Sequence, residues 1–327
     1  MDPVEQATAQ VAEVIITAAY NEAPADYIIK GVQFFVDTIA PVTDRVEALA
    51  NAYFPRQFSI INEYLASHKS PLSDKFPLMK LSQVLFLMVF YLSTVFIGKA
   101  VTKLLPRLEV KLFSLLHNFC MVALSGYMCA SVVSQALADK YFIFANPADQ
   151  TMTGYPMAKI IWVFYVSKVP EFIDTFIMVV KKNYRQISFL HVYHHCSIFG
   201  IWWFVTLMAP NGDAYFSAAL NSFIHVVMYG YYFLSAIGIK QVSFIKRYIT
   251  VGQMTQFSLN FIQATYNIID CYYLRPKANA NGELYPLVLS LILWFYMISM
   301  LGLFYNFFVQ DRRRVLAQRK ALGKKIN

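Results

Sequence analysis

The stretch Gln186–His195, QISFLHVYHH, ends in three histidines, His191, His194 and His195, spaced i, i+3 and i+4. On an α-helix that spacing sets all three imidazoles on one face. The chain has six histidines, and half of them lie within these five residues. Clustered imidazoles either ligate a metal ion, or move protons and attack carbonyl carbon as nucleophiles.

Other groups able to do chemistry lie in neighbouring apolar segments. Lys168, Glu171 and Asp174, followed by Thr175, fall at i, i+3 and i+6 along one stripe. At about 2.5–3.5 kcal/mol per unpaired charge in a membrane, these three must pair with each other or with another polar face. Pro170 frees the carbonyl near position 166 and predicts a kink there. Asn221, His225, Met228, Tyr229 and Tyr232 form a second stripe, and Thr250, Gln253, Gln256, Asn260 and Gln263 a third. Cys196 adjoins the histidines but points about 100° away from His195, which argues against a cysteine nucleophile.

The elements that must position these groups are membrane helices. Hydrophobic residues make up 57% of the 327 residues, mean hydropathy is +0.45, and apolar windows of about 18 residues or more recur, so the expected fold is all-α and polytopic. Seven transmembrane helices are predicted, near 81–98, 112–137, 157–180, 187–208, 215–237, 248–269 and 287–309. Residues 1–75, acidic and without an assignable motif or signal peptide, precede a membrane domain over 76–310 and a basic tail over 311–327. The four cysteines show no paired spacing, which gives no sign of a disulfide framework or zinc site.

Charge sets the orientation. The loops after spans one, three and five and the tail carry four, three, three and seven Lys/Arg, whereas the alternate loops carry one, none and two. The positive-inside rule then places the tail in the cytosol and residues 1–75 on the lumenal side. Basic residues so placed are topology determinants, and a nucleic-acid partner is not expected. Lys324 and Lys325, four and three residues from the end, resemble the dilysine signal that returns membrane proteins to the endoplasmic reticulum. In depth, His194 lies nine residues past Arg185, about 13 Å along a helix. Glu171 and Asp174 lie ten and seven residues before Lys181, and Gln256 nine after Arg247. Four helices thus offer polar groups to one layer reached from the cytosol.

Three chemistries meet these residues. A di-iron desaturase or hydroxylase shares the HxxHH pattern but needs about eight histidines, and here His117 is isolated and His68 lies outside the spans. Metal-free imidazole catalysis fits, with Glu171 or Asp174 holding a ring nitrogen in one tautomer. A transporter fits too, because buried charges mark ion paths.

Lys168-x-x-Glu171-x-x-Asp174-Thr175, His191-x-x-His194-His195, His225-x-x-Met228-Tyr229-x-Tyr231-Tyr232 and Thr250-x-x-Gln253-x-x-Gln256 together resemble, in order and spacing, the signatures of the ELO family of very-long-chain fatty acid elongases. The resemblance covers about residues 78–327. Gln186 and Tyr193, flanking the histidines, are similar to the form found in elongases of polyunsaturated chains. It implies a 3-oxoacyl-CoA synthase of the endoplasmic reticulum membrane, with no bound cofactor. Such an enzyme condenses acyl-CoA with malonyl-CoA, releasing CO2 and CoA.

By that resemblance His194 attacks the thioester and holds the acyl group, with His225 opposite. His191, His195, Glu171 and Asp174 orient rings and stabilise oxyanions. Lys168, Thr175, Asn221, Met228, Tyr229, Tyr232, Gln253 and Gln256 line the substrate site, while Lys181, Lys182 and Arg247 meet the CoA phosphates. The implied partners are membrane lipid and the reductase, dehydratase and enoyl reductase of the elongation cycle, and a homodimer is admitted.

Overall fold

The computed structural model describes residues 23–280 and 282–326, except for the side chains of residues 23, 240, 243, 311 and 314–326. Among the described residues every regular element is helical. Two helices, α1 (Ala23–Tyr53) and α2 (Pro55–His68), precede the bundle. Then follow α3 (Leu81–Leu104), α4 (Lys111–Ala138), α5 (Tyr155–Val166), α6 (Lys168–Val180), α7 (Phe189–Met208), α8 (Ala214–Ala236), α9 (Ile245–Ile269) and α10 (Leu287–Ile326).

Among the described residues three helices are long and apolar enough to cross a membrane: α3, α4 and the first part of α10, Leu287–Gln310. The chain is a multi-pass membrane protein. The expected spans that fall short are the ones bearing chemistry. Histidines interrupt the apolar run of α7, and Asn, His and Tyr that of α8. Amides interrupt α9. The expected third span is broken in two at Ser167, next to the carbonyl that Pro170 was predicted to free.

Neighbouring helices close a ring, α4–α8–α9–α10–α7–α5 and back to α4, with α3 packed on α6 and α7. α5 is covered on all sides: Ile160 through Val166 are all buried, as a helix apolar all round must be. Trp162 Nε1 donates to the Pro77 carbonyl at 3.0 Å, and Tyr165 OH to that of Leu78 at 2.9 Å. These bonds tie α5 to the chain entering α3.

One end of the ring is closed by loop-to-turn bonds. Asn211, fully buried, donates from Nδ2 to the Asp149 carbonyl at 2.6 Å and accepts from Asp149 N at 2.9 Å. Asp213 accepts from Ala145 N, Asn146 N and Asn146 Nδ2 at 2.8–2.9 Å. Gly212 between them has φ +59°, and a Cβ there would sit 2.6 Å from the Pro147 oxygen. The turn therefore requires glycine.

Candidate functional site

Ser188 fixes where α7 starts: its Oγ accepts from His191 N at 3.2 Å, an N-cap that satisfies a backbone donor. The three histidines then fall in the first turns on one face. The His191 and His195 rings lie 4.4 Å apart, and those of His194 and His195 5.5 Å apart. His191 Nε2 bonds the Thr175 hydroxyl at 2.7 Å, and Thr175 bonds Tyr91 OH at 3.3 Å. His194 Nδ1 lies 3.1 Å from Tyr296 OH. His195 packs against its two neighbours, and its Nδ1 meets no hydrogen-bonding protein atom.

Each carboxylate meets a histidine ring nitrogen, Glu171 that of His225 and Asp174 that of His117. Neither orients a ring of the histidine triplet. Glu171, 1% exposed, pairs with Lys168 Nζ at 2.7 Å and faces His225 Nδ1 at 3.4 Å. Lys168 also donates to Asn221 Oδ1 at 3.1 Å and lies 4.0 Å from the centre of the Phe164 ring. Asp174, one helical turn on, keeps to the stripe: Lys168, Glu171 and Asp174 meet Asn221, His225 and Tyr229 of α8 in turn. Asp174 takes His117 Nε2 at 2.9 Å and the Tyr229 hydroxyl at 2.6 Å. His117 is therefore no isolated residue. Among the described residues no three His, Cys, Asp or Glu side chains group so as to hold a metal ion.

Within the ring an enclosed, narrow cavity runs from His194 to the closed end at Asp213. One wall is apolar, with Ile198, Ile201 and Trp202 of α7 and Leu293 and Met297 of α10. The opposite wall is polar, with Asn221 of α8 and Gln256, Asn260 and Gln263 of α9. Gln263 Nε2 donates to the Asp213 carbonyl at 3.0 Å, so its amide orientation is set by a group that can only accept. His194 is the one histidine on this lining.

The remaining sequence candidates lie elsewhere. Gln186 is exposed on the turn before α7. Tyr193 bonds Ser299 at 2.9 Å. Met228 accepts from Gln253 Nε2 at 3.9 Å on the α8–α9 seam, and Tyr232 packs its ring on Tyr229 with 42% of its surface exposed. Thr175 holds His191 instead of facing the cavity. Lys181 donates to Ser114 at 3.0 Å, Lys182 is half-buried at φ +55°, and Arg247 lies against Tyr248. The side chains of Lys324 and Lys325 lie outside the described residues.

Sequence reading missed His117, Tyr91, Tyr296 and Ser197. A signal existed for the first, since Ser114, His117, Asn118 and Ser125 form a buried polar stripe on α4. None existed for Tyr296, one of 22 tyrosines.

The amino-acid sequence has matching relatives. The GNS1/SUR4 family, ELO, matches residues 76–319. A fatty acid elongase 6 from Leishmania major is 34% identical over 301 residues, covering 90% of this chain and 77% of its own length. Very long chain fatty acid elongase 5 is 37% identical in Mus musculus and 36% in Homo sapiens, each over 234 residues, 71% of this chain and 75% of theirs. By these matches the chain belongs to the ELO family of fatty acid elongases.

Proposed function

We propose that the protein condenses a long-chain acyl-CoA with malonyl-CoA, and that His194 carries the acyl group between the two half-reactions. The observation that supports this is the position of His194, the histidine on the cavity wall. The cavity's apolar wall suits an acyl chain whose thioester lies beside that ring.

The phenol of Tyr296 beside Nδ1 of His194 supports Nε2 as the reacting nitrogen. Ser197 Oγ lies 2.6 Å from the Tyr193 carbonyl oxygen and 3.1 Å from Tyr296 OH. Ser197 Oγ donates to Tyr296 OH, and in the reacting tautomer Nδ1–H of His194, 3.1 Å from the same phenol oxygen, donates to it as well. Nε2 of His194 is left with its lone pair. It attacks the acyl carbonyl carbon; the N–C bond forms as C–S breaks, and CoA thiolate leaves to take up a proton. Decarboxylation of malonyl-CoA gives CO2 and an enolate. The enolate carbon attacks the acyl-imidazole, the C–N bond breaks, and 3-oxoacyl-CoA leaves with the imidazole restored.

Lys168, Glu171 and His225 form the charged layer behind this site and position His225 for oxyanion stabilisation. Seven spans follow if α5 with α6, and α7, α8 and α9, join the three most apolar helices. The basic loops support a cytosolic C-terminus and Lys324 and Lys325 support the endoplasmic reticulum. The elongase 5 relatives, together with Gln186 and Tyr193, support polyunsaturated chains as substrates.

The test is microsomal condensation of acyl-CoA with malonyl-CoA. His194→Ala is expected to give no 3-oxoacyl-CoA while accumulating normally. Retained condensation would rule out His194 as the acyl carrier.

A further inference from the structure

Helix α1 is not part of the ring, yet it carries large apolar side chains that are exposed. Tyr27 and Phe34 are 72% and 76% exposed, and Phe35, Val42, Val46, Leu49 and Tyr53 are exposed as well. At 100° per residue these seven fall within a stripe about 120° wide. Their spread along 31 residues hides the pattern from any short window.

Seen end-on, α1 has three faces. Ala25, Val36 and Thr43, all buried, mark the face packed on the bundle, roughly 120° around from the apolar stripe. Lys30, Asp37 and Asp44, all exposed, mark a charged face the remaining third of the way round. Arg45 falls at the edge of the stripe, where a long side chain can carry its charge back to water. A helix immersed in hydrocarbon would carry no charged face, and a helix in water would not expose seven large apolar residues in one stripe.

The attachment of α1 fixes where it lies. Lys159 of α5 pairs with Asp26 at 3.0 Å, Lys80 at the start of α3 pairs with Asp44 at 3.1 Å, and Ser82 donates to Glu47 at 2.9 Å. These anchors sit in the first turns of α3 and α5, at one end of the bundle. Asp26 and Asp44 are 18 residues apart, about 27 Å along the helix, so α1 lies across that end rather than along the bundle. Its stripe continues into the outward-facing Leu85, Val89 and Phe90 of the membrane-crossing α3, each exposed.

We propose that α1 is an in-plane helix seated in the bilayer interface, its apolar stripe in the acyl–headgroup boundary and its charged face in water. The partner it fits is a lipid surface. The exposed Phe54, Ile60 and Ile61 at and beyond the start of α2 extend the same footing.

The experiment uses the full chain with Cys120, Cys129, Cys196 and Cys271 replaced by serine, reconstituted in phosphatidylcholine vesicles. Nitroxide labels are placed singly at Phe34→Cys, Val42→Cys and Leu49→Cys, and at Lys30→Cys and Asp37→Cys. Retained elongase activity certifies each folded sample. The three stripe labels are expected to meet dissolved oxygen several-fold more readily than a water-soluble nickel chelate, with the reverse at positions 30 and 37. Stripe labels as open to the chelate as position 30 would overturn the proposal. Stripe labels shielded from both agents would overturn it too, by showing a protein partner or a second copy on this face. Where the cysteine-free background fails to fold, Phe34→Trp in the unaltered background serves instead. Lipids with brominated acyl chains should then quench fluorescence beyond the loss from the four native tryptophans, and no added quenching would contradict a lipid contact.

Discussion

Tyr296 bonds Nδ1 of His194 and Ser197 bonds Tyr296, and neither residue belongs to a spacing motif. Removing the phenol hydroxyl frees both tautomers. Tyr296→Phe is expected to lower kcat about fivefold with little change in KM, the worth of one hydrogen bond near 1 kcal/mol, as read in steady-state condensation assays. Lys168 and Glu171 form a buried ion pair, and a buried charge without its partner is costly. Lys168→Met should destabilise the protein by about 3–5 kcal/mol, and adding Glu171→Gln should recover part of that loss. Thermal unfolding in detergent would check both. At this scale the histidine triplet and the Lys168–Glu171 pair were legible, because helical spacing alone brings them together. The bonds Asp174–His117 and His194–Tyr296 were not, since their partners are 57 and 102 residues apart in sequence.

Helix starts and turns set how firmly those side chains are held. Ser188 caps α7 one turn before His191, so Ser188→Ala should cost about 0.5–2 kcal/mol. Activity should fall more than stability, because the frayed turn carries a site residue. Gly212 closes the far end of the cavity in a left-handed conformation against the Pro147 carbonyl. Gly212→Ala should cost about 1–3 kcal/mol and lower the melting temperature. Apolar run length made the membrane helices legible to within a few residues, and Pro170 announced the break at Ser167. The helices α1 and α2 were not legible, because their apolar residues are shared between a packed face and an exposed one and never build a continuous run.

For the molecule as a whole, a ring of helices around a closed-ended cavity, with one imidazole on its wall, fits chemistry on a chain-like substrate. Expression in a host lacking polyunsaturated elongation, fed a panel of fatty acids, should give products two carbons longer from polyunsaturated precursors in preference to saturated ones, read by gas chromatography. The family was plain in the sequence from the order and spacing of its motifs. The direction of the cavity was not, because it depends on which faces of α7, α9 and α10 meet. The account rests on acyl transfer to His194, and mass analysis of the purified protein after incubation with acyl-CoA alone tests it most directly. The predicted result is a mass increase equal to one acyl group, mapping to the peptide containing His194 and missing from His194→Ala. No adduct from a preparation that turns over when malonyl-CoA is added, or an adduct on another residue, would contradict it.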